Sequence, residues 1–201
     1  VSLMTPVVKS LFTDLAMEIT SDAMQIHGGY GFTKDQGIEQ LYRDNRITPI
    51  YEGTNSVQAA DLVSRKLLNK NGNIIGKFLE MIKEETNSKN EKVKIFTNQL
   101  NYYLDILSKF TDWINDKNKI EKDDVSSAAN DYLKTLGYVS LAYSWIKILE
   151  VSFKDLDSNK KFYIDKINTA QFYFEKILPR AEYHYKSAIS GSSNIMKFNF
   201  N

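Results

Sequence analysis

The chain has 201 residues, 42% hydrophobic and 25% charged, enough for one domain or two small ones around a real core. Its 26 Lys and Arg against 25 Asp and Glu leave a net charge of +1, which gives no electrostatic case for nucleic acid or an anionic membrane as partner. Cysteine is absent, which excludes disulfides, thiolate metal sites and a cysteine nucleophile.

From the N-terminus, Pro6 suits the first turn of a helix running to about Ile26. Gly28-Gly29-Tyr30-Gly31 ends it, because a helix does not cheaply continue through three glycines in four positions. A short helix is expected over about 36–45, then a connection from Pro49 to Gly53, then a helix capped by Thr54 or Asn55 and reaching about Leu68. Asn69–Gly72 and Asn87–Asn90 have the composition of solvated linkers. Val93, Phe96, Leu100, Tyr103, Leu107, Phe110 and Ile114 alternate spacings of three and four, one apolar stripe on a long helix. Residues 125–153 are apolar on more than one face (Leu133, Leu136, Val139, Leu141, Tyr143, Trp145, Ile148), which predicts a central helix buried on several sides. Ile164, Ile167, Phe174, Leu178, Ala181 and Tyr185 continue the pattern over 160–187, with Gln171 interrupting it and Pro179 expected to kink or break the helix. The reading is all-α: three long helices with polar connections form an antiparallel bundle after an irregular, glycine-rich first part. The chain divides at about residue 70, and function belongs to the first part, where loops offer exposed backbone.

No apolar run approaches the roughly 20 residues that span a bilayer, and Val1–Thr5 has no signal-peptide core, so a cytoplasmic protein without a membrane span is expected. Val1 in place of an initiating Met suggests a fragment. In the loop Ile50-Tyr51-Glu52-Gly53-Thr54, the carboxylate follows apolar residues into a tight turn. Buried there, Glu52 would tend toward a raised pKa and suit a general base. The alternative is a glutamate in the first turn of a helix capped by Thr54, favoured by the helix dipole. Gly28-Gly29-Tyr30-Gly31 is either a helix cap or a set of amides for a pyrophosphate; it is not GxGxxG and no strand precedes it. His27 and His184 stand alone, so no metal site is expected. Arg43, Asp44 and Arg46 suggest a salt-bridge cluster fixing the loop.

Three blocks carry a resemblance. They are Met24-Gln25-Ile26-His27-Gly28-Gly29-Tyr30-Gly31-Phe32, Glu39-Gln40-Leu41-Tyr42-Arg43-Asp44, and Ile47 through Asn55 with Gln58 beyond. In this order they closely resemble the C-terminal signature of the acyl-CoA dehydrogenase family. Leu3–Lys9 and Asp61–Leu67 resemble its longer branch, which includes 3-methylthiopropanoyl-CoA dehydrogenases and carries an extra C-terminal helical domain. Leu136-Gly137-Tyr138, Phe162-Tyr163, Thr169–Tyr173 and Leu178-Pro179-Arg180-Ala181 resemble that extension. The implied organisation is the end of the family's C-terminal helical domain over 1–70 and a helical-bundle extension over 71–201.

The resemblance implies α,β-dehydrogenation of an acyl-CoA thioester, with FAD as the redox cofactor and an electron-transferring flavoprotein or similar acceptor. Glu52 maps onto the base that removes the α-proton, and its backbone amide onto a donor to the thioester carbonyl. Tyr51 and Gly53 map to the acyl site. Gln25, Gly28 and Gly29 map to contacts with the FAD of a neighbouring subunit in a dimer or tetramer. Thr54, Asn55 and Ser56 map near the flavin pyrophosphate, with Ser56 departing from the larger polar residues or Gly common there. The family's other domains supply most flavin contacts, so the chain alone is expected to bind FAD weakly or not at all and to be inactive. Two other classes stand beside the enzyme: a nucleic-acid-associated protective relative, against which the near-neutral charge argues, and a helical oligomerisation module.

Overall fold

The computed structural model describes residues 1–68 and 73–199; the linker expected at 69–72 lies outside the described residues. All regular structure among them is helical, as the periodicities predict. Nine helices follow in chain order: α1 (Met4–His27), α2 (Ile38–Asn45), α3 (Asn55–Asp61), α4 (Ile74–Glu85), α5 (Glu91–Lys117), α6 (Lys122–Lys154), α7 (Lys160–Phe172), α8 (Arg180–Ala188) and the short α9 (Ser193–Met196). Two 3₁₀ turns, Gly28–Phe32 and Lys34–Gln36, join α1 to α2.

The core is built on α6, where Tyr132, Leu133, Leu136, Val139, Ala142, Ile146 and Leu149 are among the buried side chains. This confirms the multi-faced helix, although Ile148 faces outward. On α5 every stripe residue except the half-buried Phe96 is buried. The register shows that α5 and α6 run antiparallel. Lys117 meets Asp124 at 2.8 Å, Thr111 meets the Tyr132 hydroxyl at 2.9 Å, and the Lys92 ammonium lies over the Phe153 ring. The same argument sets α8 antiparallel to α6, with His184 on Asp131 (2.7 Å) and Thr135 on the Ala181 carbonyl (3.3 Å). It also sets α1 antiparallel to α6, from Asp14 on Lys134 to Met4 on Ser140. Phe110 packs its ring edge-on to Tyr132 at 5.1 Å in the middle of the bundle.

Pro179 marks a true break. Tyr173–Ile177 forms a π-helical turn after α7, and Pro179 then stands at the N-cap of α8, where its missing N–H has no role. Ile164, expected on the buried stripe, is exposed, since the first half of α7 is only loosely covered.

Two features differ from the expectations. Residues 74–85 form a helix, capped by the Asn73 side chain accepting from the Gly76 amide at 2.8 Å and burying Ile75, Leu79 and Ile82. Residues 87–90 are more than a solvated linker. Ser88 is buried beside Thr86, whose carbonyl accepts from the Thr97 hydroxyl, and the Asn90 side chain caps α5.

Candidate functional site

Glu52 lies in a turn between α2 and α3. Ile50 N–H and Tyr51 N–H both donate to the Ile47 carbonyl, and Asn55 N–H reaches back to the Pro49 carbonyl at 3.1 Å, closing the loop. At its apex Glu52 adopts φ 54° and Gly53 φ 86°. Glu52 is the one non-glycine with positive φ among the described residues, a conformation that costs an L residue about 1–2 kcal/mol. Glycine is required next to it, both for its own φ and because a Cβ would come within 3.3 Å of the Gln58 side-chain nitrogen. No acceptor among the described residues takes the N–H groups of Glu52, Gly53 or Thr54. They remain available to an outside oxygen.

Two sequence readings of Glu52 are corrected here. It is exposed rather than buried within this chain. It is also not in a first helical turn. Thr54 is the N-cap of α3, its hydroxyl accepting from Val57 N–H at 3.4 Å, so Glu52 precedes the helix and gains nothing as a first-turn residue. Tyr51 is half-exposed at the same apex.

The turn is tied to α1. Lys9 Nζ donates to the Gly53 carbonyl and to Asn55 Oδ1, both at 2.8 Å. Asn55 Nδ2 donates to the Ser10 carbonyl (3.1 Å), the Thr13 hydroxyl (3.0 Å) and Asp14 Oδ1 (2.7 Å). On the other side, Gln58 Nε2 donates to the Glu52 carbonyl at 3.0 Å. The Asn55 side chain is thus wholly engaged with α1, while Ser56 is exposed and its hydroxyl meets Asn130 Nδ2 at 3.4 Å. Lys9 and Thr13 carry no local sign of this role in the sequence, because their partners are more than forty positions away.

Gln25, Gly28 and Gly29 sit at the far end of α1. Gly28 caps the helix at φ 59°, its N–H bonding the Gln25 carbonyl. Added Cβ atoms at Gly28 and Gly29 would meet nothing within 4 Å, so both present open backbone. Gly31 is glycine for a different reason: a Cβ there would lie 2.5 Å from the Met24 carbonyl oxygen. At about 1.5 Å per residue, α1 carries Gln25 about 24 Å from Lys9, and hence from the Glu52 turn that Lys9 touches. One chain does not bring its two sets of predicted cofactor residues together.

The expected loop cluster of Arg43, Asp44 and Arg46 is also corrected. Arg43 pairs with Glu39 one turn earlier in α2, at 2.6 Å, and stiffens that helix instead of the loop. Among the described residues no three of His, Asp and Glu gather as metal ligands, and no helix is long and apolar enough to cross a membrane.

With this geometry established, the comparisons decide the family. The model described as "Acetyl-CoA dehydrogenase C-terminal like" matches residues 75–199, more than half the chain, and "Acyl-CoA dehydrogenase, C-terminal domain" matches residues 2–67. The chain belongs to the acetyl-CoA dehydrogenase C-terminal-like family. It is 49% identical over 79 residues, 39% of this chain and 13% of the relative, to a 3-methylmercaptopropionyl-CoA dehydrogenase of Ruegeria pomeroyi. Its fold matches an acyl-CoA dehydrogenase of Bacillus anthracis complexed with FAD at TM-score 0.72 and 20% identity, over 96% of this chain and 34% of that one. It also matches Caenorhabditis elegans ACDH-11 in complex with C11-CoA at TM-score 0.71 and 24% identity, over 99% of this chain and 33% of that one. The chain therefore spans a small part of that dehydrogenase and about a third of each solved structure. The helical fold of this chain is shared by the matched third of each solved structure.

Proposed function

We propose that this chain is the C-terminal part of an FAD-dependent acyl-CoA dehydrogenase in which Glu52 is the base. The observation that carries the reading is the Glu52 turn: a glutamate held at φ 54° beside three N–H groups with no acceptor among the described residues. A left-handed glutamate in an exposed turn contributes nothing to the core, and such outliers collect where geometry serves a site. The Glu52 carboxylate takes the α-proton of an acyl-CoA thioester, the β-hydrogen leaves as hydride, and the double bond of a 2-enoyl-CoA forms between the two carbons. The Glu52 N–H donates to the thioester oxygen, on which negative charge grows as the α-proton leaves. Tyr51 and Gly53 flank the acyl chain, and FAD, when bound, supplies the hydride acceptor.

The residues present fit part of the flavin's needs. The open backbone at Gly28 and Gly29, with the exposed Gln25, suits one edge of it, and the Thr54 and Ser56 hydroxyls suit its pyrophosphate. Asn55 supports that second edge from behind, its amide being occupied by α1. The distance along α1 favours a homo-oligomer, in which one subunit's Glu52 turn and another's Gly28–Gly29 serve the same flavin. An electron-transferring flavoprotein or similar acceptor would reoxidise it. On this reading the catalytic part is residues 1–70, and 71–201 is an extension that braces α1 and α3 through α6. The exposed apolar stripe of α1 (Val8, Phe12, Ile19, Ile26) is the face to which the rest of the enzyme adds.

The test is anaerobic titration of the whole flavoprotein with acyl-CoAs from short to long. The expected result is bleaching of the flavin with formation of an equal amount of 2-enoyl-CoA. An unchanged flavin spectrum with every acyl-CoA contradicts the reading.

A further inference from the structure

We propose that Lys9 and Gln58 are positioning residues that clamp the Glu52 turn in its working conformation; this rests on the reading of Glu52 as the base. The left-handed glutamate persists only if its surroundings over-determine it. The two carbonyls that follow its side chain in the turn are each gripped from a different helix. Lys9 Nζ of α1 holds the Gly53 carbonyl at 2.8 Å, and Gln58 Nε2 of α3 holds the Glu52 carbonyl at 3.0 Å. With both oxygens fixed, the Glu52–Gly53 and Gly53–Thr54 peptide planes cannot rotate, so the Glu52 ψ is held and the N–H groups of Gly53 and Thr54 keep their directions.

Lys9 is an unusual choice for a structural strut. It is half-buried, and among the described residues it makes no ion pair; Asp14, the nearby carboxylate, pairs instead with Lys134 and accepts from Asn55. Binding α3 to α1 would need only the Asn55 amide, which already bonds Ser10, Thr13 and Asp14. Lys9 also takes part in that joint through Asn55 Oδ1 at 2.8 Å, and its separate bond to the Gly53 carbonyl acts on the turn itself. Its positive charge also draws electron density from the Gly53–Thr54 peptide, which makes the Thr54 N–H a better donor.

The experiment uses the holoenzyme and the variants Lys9→Met, Lys9→Arg, Gln58→Leu and Glu52→Gln. Lys9→Met keeps the aliphatic stem and removes the donor. It is expected to lower kcat on the order of tenfold to a hundredfold, as small misplacements of a reacting group do. KM and flavin content should stay near the parent's, and the α-deuterium isotope effect on kcat should rise as proton removal becomes slower. Gln58→Leu should shift the same readings by less, and Lys9→Arg should recover part of the loss. A merely structural lysine would lower flavin content or folded yield without enlarging the isotope effect. If Lys9→Met does not fold, Gln58→Leu decides on the same readings, since Gln58 is only half-buried. Parental kcat and isotope effect in the folded variants, with Glu52→Gln inactive, overturn the positioning role alone. Retained turnover in Glu52→Gln overturns the base reading on which it rests.

Discussion

At the scale of single residues, side chains far apart in sequence do most of the specific work. Asp124 shows how. It is buried, with one carboxylate oxygen accepting from both the backbone N–H and hydroxyl of Ser192 at 2.7 Å and the other facing Lys117 at 2.8 Å. Lys117, then Ser192, hold its carboxyl well below the usual aspartate range. A depressed carboxyl stabilises the fold in full above its unfolded value, near 4, and the contribution fades as pH falls below that toward the lowered folded value. Asp124→Asn keeps the shape and removes the charge. It should lower Tm by several degrees at neutral pH, with the gap to the parent narrowing in acid; a gap constant from pH 7 to pH 3 would contradict this. Glu52 is the opposite case, a residue with little to do for the fold in a conformation that few glutamates adopt. Apart from the family signature around it, the sequence marks it only through the glycine beside it. What the apolar approach suggested, a buried carboxylate, failed because Ile50 and Tyr51 are themselves about half exposed in this chain.

At the scale of elements, periodicity made α5 and α6 legible, since a three–four stripe and an all-round apolar segment translate directly into burial. The packing between elements was not legible. Gly137 lies within α6, where helix propensity alone would disfavour glycine. It is there because α1 crosses at that point: a Cβ would come 2.5 Å from Leu11 Cδ2 and 3.2 Å from Val7 Cγ1, both on buried side chains. Gly137→Ala should therefore destabilise by about 1–3 kcal/mol, despite the better helix former, because the overpacked residues cannot withdraw. Thermal unfolding of the 201-residue chain checks it, and a rise in Tm would show that α1 is free to shift. Arg180 repeats the lesson: its guanidinium forks onto Glu18 at 2.6 and 2.8 Å, joining α8 to α1 across the length of the sequence. Residues 74–85 hold Ile75, Leu79 and Ile82 at helical spacing, but a helix of only three turns between polar linkers repeats its apolar pattern too few times to stand out in the sequence.

At the scale of the whole molecule, α6 binds both parts into one core, with α1 and α3 on one side and α5 and α8 on others. The Glu52 turn is thus mounted on a rigid frame, as a reacting group requires. The candidate site was legible as ordered blocks of a family signature, but its division was not. The blocks adjoin in sequence, while α1 sets Gln25 about 24 Å from Lys9, which holds the turn, a separation that only the helix length reveals. In the proposed reaction Glu52 removes the α-proton. The most direct measurement is anaerobic mixing of Glu52→Gln holoenzyme with an acyl-CoA that reduces the parent's flavin. The variant should keep its FAD and bind the thioester, yet leave the flavin oxidised. Flavin reduction at a rate near the parent's would contradict the claim.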